Sequence, residues 1–405
     1  MSAPSQAPGA PSDGGPTDDT TLPPGYVADL SARTLADVIV ACTAVSESDR
    51  RRKRLSYRGI DVAQLAGQAT FEEVIFLLQR GELPRADQLA EHRAALAAAR
   101  SLDDVAGLTP EVARLLLGGP DPLAALRVWL DVVGQHGKRP ARTGPEGDVR
   151  EAVAILGQLA AGVAALAAGG EPVPGSAATG QGTAELVLTQ LRTAAQQPPP
   201  STEQVAALDQ ALVVQADQGV PASTFAVRLA AAAGADLHGA IVAGLTTMAA
   251  PLRISGVVAV LTVLDEAAGS PPEAAPDVVA RLTRGQRVAG FGHRAYRGED
   301  PRATLLRGVA GTLAPPDDPF LALVDAVEAE ALATRGLAPN VSFAAAVVYR
   351  LLGVPPRLAG PLTALARSAG WTAHALEQHR DNRLIRPSGE YVGRRDRPFV
   401  PLGDR

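Results

Sequence analysis

The sequence predicts an all-α protein. Alanine and leucine abound, aromatic residues are only 3%, and β-branched residues cluster less than a sheet protein would need. Most of the chain carries a helical pattern, broken where proline and glycine gather. At 405 residues it can bury a large core, arranged as two lobes.

Residues 1–25 are rich in Pro, Gly, Ser and Asp and lack an apolar face, so they are expected to be disordered. Val38 to Val45 suits a short strand or an extended arm. The charged run from Asp49 to Arg54 reads as a solvated turn or as a contact for an anionic tail. Helices are expected at 61–67, 71–80, 85–100, 110–117, 121–136 and 148–168, with Asp61 and Thr70 standing where N-caps belong. A Pro/Gly-rich loop covers 169–183, and Pro198-Pro-Pro200 marks another break. The pattern resumes at 202–217, 222–234, 236–249, 256–267 and 275–284. A glycine-flanked loop at 285–300 interrupts it, before helices at 302–313, 319–335, 341–352 and 359–379 and an irregular tail at 380–405. No internal repeat recurs at a fixed period, which argues against a solenoid.

Composition excludes several function classes. A net charge of −5 argues against a nucleic-acid partner. The single cysteine, Cys42, allows no intramolecular disulfide and no thiolate metal cluster. His374 and His379 are spaced badly for one helix face, so no metal site is expected there. The apolar stretch 152–168 is interrupted by Gln158 and small residues and reads as a buried helix, so no membrane span is expected. No secretory signal is visible, and a cytoplasmic location is the default expectation.

The stretch Gly290-Phe-Gly-His293, followed by Arg302, carries the chemistry. Glycine lets backbone and ligand approach closely. Histidine can donate a hydrogen bond or move a proton near neutral pH, and arginine presents a rigid fork that grips carboxylates. Together they suit a small anionic substrate whose carbonyl must be polarised.

This stretch resembles the signature of citrate synthases, and further ordered matches extend the resemblance over roughly residues 35–395. They include Leu55-Ser-Tyr-Arg-Gly-Ile-Asp61, Phe71-Glu-Glu-Val74 with Gly81-Glu-Leu-Pro84, and Ala222-Ser-Thr-Phe225 with Gly234-Ala-Asp-Leu237. Pro339-Asn-Val341, Val347-Val-Tyr-Arg350, Asp381-Asn-Arg-Leu-Ile-Arg-Pro387 and Glu390-Tyr-Val-Gly393 complete them. The resemblance implies a large helical domain (26–253 and 351–405), a small one (254–350), and an active-site cleft between them. It implies a dimer, either a homodimer or a heterodimer with a homologue. It also implies condensation of an acyl-CoA with an oxaloacetate-type 2-oxoacid, with acyl-CoA as cosubstrate and no permanently bound cofactor.

The family's parts are carried over only in part. His293 matches the ketone-polarising histidine. Arg302, Arg367 and Arg386 match carboxylate-binding arginines, and Arg386 is the one that in the family reaches the neighbouring subunit's site. Three positions depart. Ser342 stands where the family has an aspartate base, and a serine hydroxyl is not ionised near neutral pH. Arg253 stands where the family has its enol-stabilising histidine; it can attract an oxyanion but cannot return a proton. Gln218 replaces an oxoacid-binding histidine. His238, in Leu237-His-Gly239, imitates the missing histidine in the wrong register and reads as part of a packed helix face.

Two classes of function follow. One is an acyltransferase of the condensing class, impaired unless another carboxylate, such as Glu299 or Asp300, serves as base. The other is non-catalytic: a subunit that pairs with an intact homologue and donates Arg386, or a sensor of CoA or dicarboxylates.

Overall fold

The computed structural model describes residues 39–101, 108–137, 144–171, 180–250, 255–283, 289–293, 296, 298–388, 391 and 393–404. The disordered tail expected at 1–25, and Arg253, lie outside these residues. Contacts divide the chain into two units, residues 41–385 and residues 1–40 with 386–405. In the smaller unit the described residues are irregular apart from a short 3₁₀ turn at Leu402–Asp404; the Tyr391 hydroxyl donates to the Arg394 carbonyl at 2.9 Å.

The larger unit opens with a small antiparallel sheet. Strands β1 (Ser46–Asp49), β2 (Arg54–Tyr57) and β3 (Ile60–Asp61) pair in that order, Ser46 opposite Tyr57 and Ser56 opposite Asp61. The strand expected at 38–45 therefore begins later. Residues 39–43 are irregular, and pairing starts only where a tight turn can bring two segments together. That turn is the basic run. The Asp49 carboxylate accepts from the Arg51 and Arg52 amides at 2.8 and 2.9 Å, fixing the reversal locally.

Helices follow: α1 (Val62–Leu65), α2 (Phe71–Arg80), α3 (Ala86–Ala98), α4 (Pro110–Leu117), α5 (Pro122–His136) and α6 (Gly144–Ala167). Asp61 caps α1 through the Ala63 amide, and Thr70 with Glu73 forms a capping box on α2, as their positions predict. Then come α7 (Thr183–Ala194), α8 (Thr202–Gln215), α9 (Ala222–Ala232), α10 (Leu237–Ala249), α11 (Ser255–Ala267) and α12 (Ala275–Leu282). The last four are α13 (Pro301–Leu313), α14 (Pro319–Arg335), α15 (Val341–Leu351) and α16 (Pro356–Arg380). Helix α7 has no counterpart among the expected elements. Its N-cap is Gly182, which supplies no side-chain oxygen, so the usual start signal is missing. Its amide at Thr183 is satisfied instead by Glu72 of α2, 2.7 Å away.

Helices α6 and α16 pack against each other at the centre, and α16 also touches α2, α5, α8, α9, α10 and α11. Helix α6 is long and apolar enough to cross a membrane, but 89% of its apolar window is buried inside the protein. The few aromatics work with glycines. Trp129 lies against Gly162, and Trp371 against Gly244, so that helix backbones approach closely. His238 of α10 is buried beside α6, within 2.9 Å of Gln158 Oε1 and 3.3 Å of Glu151 Oε1, and its ring rests on Gly134. This matches the packed helix face expected for it.

At Gly370 of α16 an added Cβ would lie 2.2 Å from Asp217 Oδ1 and 2.7 Å from the Ala216 carbonyl oxygen. The carbonyl cannot rotate away. Gly370→Ala is therefore expected to cost about 1–3 kcal/mol of stability, read as a lower denaturation midpoint. An unchanged midpoint would mean that α16 can draw back from residues 216–217.

Candidate active site

The site is built where the loop at 289–293 meets the start of α15. Gly290 and Gly292 adopt φ of +81° and +67°, a region costly for other residues. A Cβ on Gly290 would also come within 2.6 Å of Val260 on α11 and 3.2 Å of Phe343 on α15. The loop is stitched to the residues before α15. The Gly292 amide donates to the Ala338 carbonyl and the Asn340 amide to the Gly290 carbonyl, both at 2.8 Å. The Asn340 side chain donates to the Gly292 carbonyl at 2.8 Å and accepts from the Ser342 amide at 2.9 Å, so one residue caps α15 and anchors the loop.

Asp300 and Arg302 form the centre. Both side chains are essentially unexposed. Arg302 Nε donates to Asp300 Oδ1 at 3.0 Å, and one terminal nitrogen donates to Oδ2 at 2.8 Å, a bidentate pair. That terminal nitrogen also lies 3.0 Å from His293 Nε2, and the other donates to Gln218 Oε1 at 3.0 Å. Asp300 caps α13 through the Arg302 amide and accepts from the Val341 amide at 3.1 Å. Burial alone would raise the Asp300 carboxyl, but Arg302 outweighs it and holds it below the ordinary carboxylate range. Burial likewise opposes the Arg302 charge, and Asp300 outweighs it in turn.

A guanidinium has only donors, so His293 Nε2 must accept and the imidazole proton sits on Nδ1. The ring stacks on Tyr296 with centroids 4.9 Å apart. Burial first, then the charge of Arg302, depress His293 from near 6.5 to about 4. It is therefore neutral at pH 7, the state that can donate one hydrogen bond to a ketone without surrendering a full charge.

Arg367 of α16 is buried near this group, and its charge adds to the depression of His293. One of its terminal nitrogens has no hydrogen-bond partner among the described residues. Burial lowers it to about 10, so it stays charged at neutral pH. Nearby Asp217 is fully buried, accepts from Ser46 Oγ and from the Gly219 amide at 2.8 Å, and lies 3.4 Å from His374 Nε2. Burial works against its charge, but His374 and Arg367 outweigh it and keep the carboxyl ionised.

The structure thus brings His293, Arg302 and Gln218 into direct contact. Ser342 stands on the first turn of α15, its hydroxyl facing Gly256 of α11, where an added Cβ would lie 3.1 Å from Oγ. Arg386 is exposed and belongs to the other unit. The suggestion that Asp300 could act as base is corrected: its oxygens are taken by Arg302, the helix cap and Val341. Glu299 is exposed and accepts from Thr304 Oγ1 at 2.6 Å. Sequence reasoning missed Asp300 as an organiser, although Asp300-Pro301 is a helix-start signal. It also missed Asp217, for which no local signal exists.

A sequence profile of the citrate synthase C-terminal domain matches residues 34–388. The chain belongs to the citrate synthase family. It is 33% identical to the citrate synthase of Haloferax volcanii over 92% of this chain and 98% of that protein. It is 32% identical to 2-methylcitrate synthase 2 of Corynebacterium glutamicum over 92% of this chain and 97% of that protein. Its fold matches the crystal structure of citrate synthase from Thermotoga maritima with a TM-score of 0.75 and 27% identity, covering 92% of this chain and 98% of that one. Citrate synthase ancestry accounts for the ordered helices on both sides of the His293 loop.

Two outcomes follow from the geometry. His293 favours its neutral form when folded, so its contribution to stability is full above about 6.5 and is lost as pH falls toward about 4. A ¹⁵N NMR titration should show a neutral ring, protonated at Nδ1, at pH 6.5 and a second proton only as pH nears about 4; protonation near 6.5 would contradict the arrangement. Asp300→Asn leaves a buried guanidinium without its counter-charge and is expected to cost about 3–5 kcal/mol of stability, read by chemical denaturation.

Proposed function

We propose that this protein binds 2-oxo-dicarboxylates of the oxaloacetate type in a citrate synthase-like cleft, with acyl-CoA condensation severely impaired. The supporting observation is the buried Arg367, a cation whose charge acts on the neutral His293 and one of whose terminal nitrogens has no hydrogen-bond partner among the described residues. A buried donor without a partner is costly, and a carboxylate ligand satisfies it. Arg302 is a weaker grip than its position suggests. Its charge is already matched by Asp300, so a ligand engages it by displacing Gln218 or by adding to the shared edge beside His293. His293 then donates to the ketone oxygen and raises the electrophilicity of the carbon.

The remaining step needs a group that removes a proton from the carbon next to a thioester. Ser342 occupies the place of that group and cannot ionise unaided. Its neighbourhood offers no replacement among the described carboxylates already considered: Asp300 is committed to Arg302, and Glu299 to Thr304 at the exposed rim. Loss of a general base removes roughly 10²–10⁴-fold in rate, and Arg253 in place of a proton-returning histidine compounds it.

The test is release of free CoA from acetyl-CoA and from propionyl-CoA, with and without oxaloacetate. The parent is expected to be slow. The double variant Ser342→Asp with Arg253→His is expected to be faster by about 10²-fold or more. A parent as fast as the double variant would refute the reading.

A further inference from the structure

An open cleft of about 840 Å³ lies where α3, α7 and α8 meet the start of α2. Its volume falls within the roughly 300–1,000 Å³ of small-molecule sites. It shares no lining residue with the His293–Arg302 group, so the chemistry above does not use it. One wall is α3, whose Ala90, Ala94 and Ala97 fall on a single face at helical spacing. Val205 and Ala206 of α8 continue the small apolar surface, and no aromatic side chain is among the described residues that line the cleft.

The polar groups of the cleft are short of donors. Three carboxylates line it, Glu72 on α2, Glu185 on α7 and Asp209 on α8, against one cation, Arg93. No ion pair among the described residues involves any of these carboxylates. Glu72 is only 2% exposed; its Oε1 accepts from the Thr183 amide, and its Oε2 has no partner among the described residues. Gln181 also lines the cleft, and its side-chain oxygen is buried without a hydrogen-bond partner among the described residues. Asp209 accepts only from the Phe71 amide, shared between its two oxygens at 3.2 Å. The nearby arginines do not close this gap. Arg93 is exposed and donates to Thr70 Oγ1 at 3.3 Å, and Arg100 donates to the Gln181 carbonyl at 2.6 Å and to Thr183 Oγ1 at 3.1 Å.

Burial first, then the charge of Glu72, push the Asp209 carboxyl up to about 7, against the opposing pull of the Phe71 amide and of Arg93. Glu73 adds to the rise. Ionising Asp209 beside Glu72 is therefore costly until a cation enters. A primary ammonium brings three donors and no acceptor, the complement of Glu72 Oε2, Asp209 and Gln181 Oε1. An anion would add to the repulsion, and a neutral apolar molecule would leave the acceptors unanswered.

We infer that this cleft binds a small aliphatic amine as its ammonium ion, with Glu72 and Asp209 holding the charge and the alanine face of α3 covering the hydrocarbon. The site does not rest on the reading of the His293 cleft. Its binding is linked to pH through Asp209. That carboxyl must be ionised to pair with the ammonium, so affinity is full above about 7 and falls as pH drops below it.

The test is calorimetric titration of the full chain with n-pentylamine, n-pentanol and pentanoate at constant ionic strength. The parent is expected to bind the amine about tenfold or more tightly than the alcohol or the acid, and about tenfold more tightly at pH 8 than at pH 6. Asp209→Asn and Glu72→Gln each keep an oxygen that accepts from the Phe71 or Thr183 amide, so both should fold, as the denaturation midpoint will check. Each is expected to lose roughly tenfold in amine affinity, and Asp209→Asn should abolish the pH dependence. Ala94→Leu changes an exposed helix position to another good helix former, fills the cleft without touching a charge, and should weaken the amine by a similar factor. A parent that does not bind the amine, or binds the alcohol as tightly, would overturn the assignment. So would unchanged affinity in Ala94→Leu, or a pH dependence that survives in Asp209→Asn. Tighter binding of pentanoate than of the amine would make the cleft an anion site and overturn the assignment as well.

Discussion

The site depends on the buried pair of Asp300 and Arg302. Each side chain would be costly alone in the interior, and each offsets the cost of burying the other's charge. The pair does three jobs with one carboxylate. It starts α13, it holds the first turn of α15 through the Val341 amide, and it fixes the guanidinium against His293 and Gln218. Everything chemical about His293 follows. Its tautomer is set by a partner that can only donate, and its depressed basicity follows from burial and that partner's charge.

The same pair limits what the cleft can do. A carboxylate neutralising a cation is not available to take a proton from carbon, because protonating it would strand Arg302 in the interior. Asp300 is therefore committed to organising the site rather than free to exchange protons. On the proposed reading an incoming dianion meets Arg367, which is buried near Asp217 and has one terminal nitrogen without a hydrogen-bond partner among the described residues. On the same reading, Ser342 and Arg253 supply no proton chemistry while the arginines keep their charge.

Much of this was legible from the sequence, for definable reasons. Helix α2 could be read to the residue because Thr70 and Glu73 form a capping box and Gly81 ends the helix in a left-handed conformation. The His293 loop was readable because two glycines flank it and both need positive φ. Helix α7 was not, because its start is satisfied by Glu72 from a distant helix rather than by a local cap. The first strand was placed too early because apolar β-branched residues at 38–45 suggested it, while the true pairing is set by the Asp49 turn. Asp217 was invisible for a different reason. Its partners Ser46 and His374 come from opposite ends of the chain, and no spacing rule connects them.

The central claim is that the cleft holds its ligands but cannot deprotonate the carbon beside the thioester. The most direct measurement is deuterium wash-in at the acetyl methyl of acetyl-CoA in D₂O, followed by proton NMR with saturating oxaloacetate. The account predicts that the methyl signal decays no faster with the protein than without it, while oxaloacetate binds. Protein-dependent loss of that signal would show a working base in the cleft and would contradict the account.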